Sequence, residues 1–153
     1  MMPGTSVRSF IQFFPELGPR ETRSVRVPFT QGPLLAGEYG FIEYYCDDPA
    51  CDCRRVFFQV CSPAAPSKAL AMICFSWATE DHYRNVLGVD RETARMMTGS
   101  DLELSCPRTP LAEELLGLFR DLMQTDEAFV ARLRRHYALF KKLMQKNAGA
   151  KSK

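Results

Sequence analysis

Residues 39–61 read YGFIEYYCDDPACDCRRVFFQVC, and this stretch decides the architecture. Tyr39 to Cys46 is rich in aromatic and β-branched residues and predicts a strand. Arg54 to Cys61 predicts a second, with Val56, Phe58 and Val60 alternating toward one face. Asp47 to Cys53 lie between them, so the two strands make a hairpin with a long, cysteine-bearing tip. Downstream, Ser62 to Ser67 holds Pro63 and Pro66 and must turn. Ala69 to Trp77 predicts a third strand. Short consecutive connections make an antiparallel meander the economical topology.

Working outward, Thr22 to Val27 reads as an edge strand, because Arg23 and Arg26 discourage further pairing. Residues 28–37 are rich in Pro and Gly and read as loop, and residues 1–18 as a short apolar arm carrying Phe10, Ile11, Phe13 and Phe14. The second half is helical. Thr79 and Asp90 are expected to cap two short helices that end near Gly88 and Gly99, and residues 99–108 read as loop. Thr109-Pro110 starts a longer helix with a capping residue and Pro at its first turn. Its apolar stripe is Leu111, Leu115, Leu118, Phe119 and Leu122. Thr125-Asp126 breaks it, and a last helix follows with Phe129, Leu133, Tyr137, Phe140 and Met144 at helical spacing. So short a link predicts an αα-hairpin of antiparallel neighbours.

Three of the six cysteines fall together as Cys46-x4-Cys51-x-Cys53 at the predicted tip. Thiolates on a tight turn can converge on one point, and zinc takes tetrahedral ligands of this kind at about 2.3 Å. Pro49 stiffens the turn, and Arg54 and Arg55 favour thiolate over thiol. A disulfide is disfavoured in a reducing compartment, and Cys51–Cys53 is a strained pair. A redox-active cluster and inert buried thiols are the other readings. For the fourth ligand, Cys61 is excluded, because eight residues of strand carry it about 26 Å from the tip. The third strand runs back toward the tip, which makes His82 the first candidate, followed by Cys106 and Cys74. An aspartate of the tip, water or a partner chain complete the set of possibilities. His136 reads as packing or surface.

The chain has 153 residues, 46% hydrophobic and 25% charged, enough for one domain that needs no cross-links. No apolar run reaches the length of a membrane span, and the N-terminal residues lack the pattern of a secretory signal. A cytoplasmic location without a membrane partner is therefore expected. The net charge is only +2, but it is uneven: residues 1–131 carry −6 and residues 132–153 carry +8. Arg132, Arg135, Lys142 and Lys146 make the last helix a candidate surface for nucleic acid or an acidic protein. A solvated helix face with a Lys-rich tail is the plainer alternative. No phosphate-cradling glycine loop, nucleophile elbow or H-E-x-x-H pattern is present. The helix pair over residues 79–98 has the length of a helix-turn-helix but offers few groove-facing polar side chains. Phe41, Tyr44, Tyr45, Phe57 and Phe58 read as core before they read as a base-stacking surface.

The string from Gly37 to Val56, with its YC-x-DP-x-CDCRRV core, resembles a family of small, uncharacterised bacterial proteins that share this hairpin. The segment from Arg132 to Phe140 is similar to their C-terminal helix. The resemblance implies a bacterial, cytoplasmic, zinc-binding domain and says nothing about substrate.

The sequence thus predicts one α+β domain over residues 1–147 and a disordered basic tail over 148–153. An antiparallel β-meander carries zinc at its hairpin tip through Cys46, Cys51, Cys53 and His82. Short helices follow, and a C-terminal αα-hairpin covers the sheet or closes a homodimer. The expected role is a non-enzymatic binding or adaptor module, with no catalytic residue. A thiol redox sensor or metal-dependent enzyme, and a structural subunit of a larger complex, are the alternatives.

Overall fold

The hairpin read from the sequence lies at the centre of the sheet. In the computed structural model, which describes residues 6–151, its arms are β3 (Gly37–Cys46) and β4 (Arg55–Cys61). Before them come β1 (Val7–Ser9), α1 (Phe10–Phe13), α2 (Leu17–Glu21) and β2 (Arg23–Val27). After them come β5 (Ala71–Ser76), α3 (Glu80–Val86), α4 (Arg91–Met97), β6 (Gly99–Leu102), α5 (Pro110–Thr125) and α6 (Glu127–Lys151). The sheet runs β1-β3-β4-β5-β6, all pairs antiparallel. Both β1 and β2 pair with β3, the first at its Cys46 end and the second at its Gly37 end. The chain is an α+β fold built on an antiparallel meander.

Register assigns the two faces, because directly opposed residues point to the same side. Phe41 faces Val60, Glu43 faces Phe58, and Phe58 faces Ile73. With Tyr39, Tyr45 and Val56 these form a face that α5 and α6 cover. Phe119 of α5 is the hub there, its ring 5.0 Å from Phe58 and 5.8 Å from Phe41 and Phe75. Phe129, Leu133, Tyr137, Phe140 and Met144 of α6 are all buried, as their spacing predicts. The opposite face carries Phe57, Cys74 and Asp101 in one row.

Local chemistry explains where the helices start. The side chains of Thr79, Asp90 and Thr109 accept hydrogen bonds from the backbone N–H of His82, Thr93 and Ala112. Each satisfies a donor that the first helical turn leaves open. Gly88 and Gly99 take positive φ angles of 69° and 70° where the chain leaves α3 and α4, a conformation costly for other residues.

The structure departs from the expected layout in three places. Residues 99–108 are not all loop: Gly99–Leu102 pairs with Ile73–Ser76 as β6. This strand has no periodicity of its own and exists because the open edge of β5 needs a partner. The N-terminal arm is also more ordered than expected. Phe10 is buried and stacks on Phe14 at 4.5 Å and on His136 at 4.1 Å, and β1 precedes it. Finally, α6 continues to Lys151, into the stretch 148–153 expected to be a tail, while Ser152 and Lys153 lie outside the described residues.

Candidate metal centre

The tip is a scaffold of backbone carbonyls held from outside. Asp48 opens the turn: its carboxylate accepts from the Ala50 N–H at 2.9 Å and its carbonyl from the Cys51 N–H at 3.2 Å. Arg54 closes it at a left-handed φ of 51°, an unfavourable conformation for a residue with a side chain. The Arg54 N–H donates to the Tyr137 hydroxyl at 3.2 Å, and that hydroxyl donates to Asp52 Oδ1 at 2.8 Å. Lys141 donates to the carbonyls of Cys46 and Asp48 at 3.1 and 2.8 Å, and Gln145 donates to that of Pro49 at 3.3 Å. From α3, His82 Nε2 donates to the Asp52 carbonyl and the Tyr83 hydroxyl to the Cys53 carbonyl, each at 2.7 Å. Ser76 hydrogen-bonds the same Tyr83 hydroxyl.

With its carbonyls gripped this way, the tip turns its sulfurs to one point. The Sγ atoms of Cys46, Cys51 and Cys53 all lie within 4.8 Å of one another. Cys46 and Cys53 are buried and Cys51 half-buried, and no cysteine is in a disulfide. A tetrahedral ion with bonds of about 2.3 Å needs sulfurs about 3.8 Å apart, so small side-chain adjustments suffice to close three thiolates on one ion. The donor set fits a soft or borderline metal ion.

The electrostatics of the three thiols suit a cation among them. A hydrogen bond from Cys53 leads the effects that lower the Cys46 thiol to about 6, with a backbone hydrogen bond and the Lys141 charge adding to it. The same contact pushes Cys53 far up, helped by burial and by the negative charge of its neighbours. Burial and the Cys46 charge raise Cys51. The surroundings thus favour one thiolate and oppose a second and third, an opposition that a bound cation would relieve. Burial also lifts Tyr83 to about 12 and Tyr137 higher, so both remain hydroxyl donors to the tip.

The sulfurs open on a cavity of about 380 Å³ on the sheet face opposite α5 and α6. Phe57, Cys74, Val89, Met96, Met97 and Leu102 are among its lining residues.

The structure brings together the three local cysteines. His82 reaches the tip, as the run of the third strand predicts, but its ring holds the Asp52 carbonyl and is not part of the sulfur group among the described residues. Cys106 accepts the Met72 N–H at 3.4 Å and packs against the core. Cys74 sits two strands from Cys46, about 10 Å in the hydrogen-bonding direction. Cys61 pairs with Gly40, away from the tip. Of the basic residues proposed for a partner, Arg135, Lys142 and Lys146 are exposed, while Arg132 donates to the Glu21 carbonyl at 3.1 Å.

Sequence reasoning missed Tyr137, Lys141 and Gln145 as supports of the site. Their spacing of four places them on one stripe of α6, a signal that was available. His136 is buried as packing suggests, but between two carboxylates: Nδ1 lies 2.7 Å from Glu43 and Nε2 2.8 Å from Glu21. Compared with family models, curated proteins and solved structures, the chain matches none.

Proposed function

We propose that this protein is a zinc-binding, non-enzymatic binding or adaptor module. Zinc held by Cys46, Cys51 and Cys53 locks the hairpin tip, and the exposed cations of α6 meet an acidic partner such as nucleic acid. The supporting observation is the convergence of three sulfurs within 4.8 Å on a loop whose carbonyls are held by α3 and α6. A thiolate-rich donor set is the mark of a structural rather than a catalytic zinc. Arg134, Arg135, Lys142 and Lys146 are all exposed on α6 and supply the charge for the partner.

Elemental analysis of purified protein tests the metal. The expected result is about one zinc per chain, lost in Cys51→Ser and retained in His82→Ala. A wild type free of bound metal would refute the proposal. The partner is tested by the affinity for a single-stranded oligonucleotide at rising salt. A log–log slope that shrinks in an Arg135→Ala/Lys142→Ala/Lys146→Ala variant is expected, and binding indifferent to salt argues against nucleic acid. Three free thiols so close together also favour a redox switch as the second reading. It is distinguished by zinc release with disulfide formation under mild peroxide, reversed by reductant.

A further inference from the structure

The three sulfurs supply one coordination position fewer than a tetrahedral ion takes, and the surroundings show what can fill it. The carbonyl side of the tip is closed by His82, Tyr83, Tyr137 and Lys141. Cys46, Cys51 and Cys53 line the cavity of about 380 Å³. That volume lies in the range of small-molecule sites, and most of its lining is apolar, with Phe57, Val89, Met96, Met97 and Leu102.

The charged residues of the lining are Asp101, ion-paired with Arg108, Glu103, which accepts from the Ser105 N–H, and Arg55. Arg55 extends over the Phe57 ring at 5.1 Å, and its Nε is buried with no hydrogen-bond partner among the described residues. The positive charge of Arg55 at the cavity wall favours an anionic ligand there. Three thiolates select an ion that favours sulfur, so a soft anionic donor suits the remaining position.

From this we infer that the cavity binds a small organic thiol with an apolar body, whose sulfur takes the metal's fourth position beside Arg55. The inference rests on the zinc reading of the cysteine cluster. On binding, the thiol would release its proton to solvent and its sulfur would supply the fourth donor beside Cys46, Cys51 and Cys53. Nothing is oxidised or reduced. The apolar body covers Phe57 and the methionines of α4.

The test uses the full chain loaded with cobalt(II), whose visible spectrum reports sulfur ligation. Benzyl mercaptan, 2-mercaptoethanol and benzyl alcohol are titrated in parallel. Benzyl mercaptan is expected to add sulfur-to-cobalt charge-transfer intensity with saturation, and to bind at least about tenfold tighter than 2-mercaptoethanol, because its ring buries apolar area. Benzyl alcohol leaves that intensity unchanged. Met97→Trp, which fills the cavity, takes up cobalt as the wild type does and loses at least about tenfold in affinity for benzyl mercaptan. Failure of the wild type to take up cobalt overturns the metal reading and this inference with it. Cobalt uptake with a spectrum that benzyl mercaptan does not move, equal affinity for the two thiols, or a Met97→Trp response equal to wild type overturns this inference alone.

Discussion

His136 is held by two acids and an aromatic ring. Glu43, itself buried, receives the Tyr45 hydroxyl at 2.6 Å and His136 Nδ1 at 2.7 Å, while Phe10 stacks on the imidazole. Both ring nitrogens face carboxylate oxygens, which suits the imidazolium. Burial draws the His136 pKa down, but the hydrogen bonds and charges of Glu43 and Glu21 outweigh it and raise it above 6.5. A raised pKa stabilises the fold below the unfolded value, and the contribution is lost as pH rises through the folded one. Glu21 moves the other way: the His136 hydrogen bond lowers it, so its share is lost as pH falls through that depressed value. The expected profile is a stability plateau that declines above about pH 6.5, seen in urea titrations across pH. His136→Phe, which leaves Glu43 without its cation, should cost about 3 kcal/mol at pH 6 and flatten the alkaline decline. An NMR titration placing His136 below 6.5 contradicts this account. Lys141 holds the backbone of the cysteine-bearing tip. Lys141→Met removes the donors to Cys46 and Asp48 and should weaken zinc affinity about 10- to 100-fold in a chelator competition; unchanged affinity would mean that the tip holds its shape unaided.

At the scale of elements, helix boundaries were the most legible part of the sequence. Thr79, Asp90 and Thr109 cap the helices they were expected to cap, since a cap depends on residues three positions apart. Thr109→Ala should therefore cost about 1 kcal/mol, measurable as a lower urea midpoint at constant slope. The strand stretches of β3, β4 and β5 were legible from composition and alternation. β1 and β6 were not, because each is a few residues long and owes its strand conformation to a neighbour distant in sequence. The α6 stripe shows both sides. Its apolar positions announced a buried face, but not that the same helix would send Lys141 and Gln145 to the far end of β3.

At the scale of the molecule, the tip ties the β3–β4 hairpin to α3 through His82 and Tyr83, and to α6 through Tyr137 and Lys141. A metal at that junction should stabilise the whole fold. Free zinc at about 100 times its dissociation constant contributes about 2.7 kcal/mol, an expected rise in Tm of about 5–10 °C over chelated protein for a domain of this size. No shift on chelation would show that the folded chain binds no zinc in preference to the unfolded one. Phe119 reports on the core instead. Phe119→Ala, which removes the ring between Phe41, Phe58 and Phe75, should cost about 3–5 kcal/mol with or without metal.

The sequence by itself determined the class of fold, the meander, the helix starts and the meeting of Cys46, Cys51 and Cys53. All of these follow from residues close along the chain, whose geometry local torsions and spacing dictate. The tertiary structure alone decided that His82 grips a carbonyl, that Lys141 is withdrawn from the basic face, and that the sulfurs open on an apolar cavity under α4. Those outcomes depend on which distant segments the packed core brings side by side, and a linear pattern does not encode the distances between them.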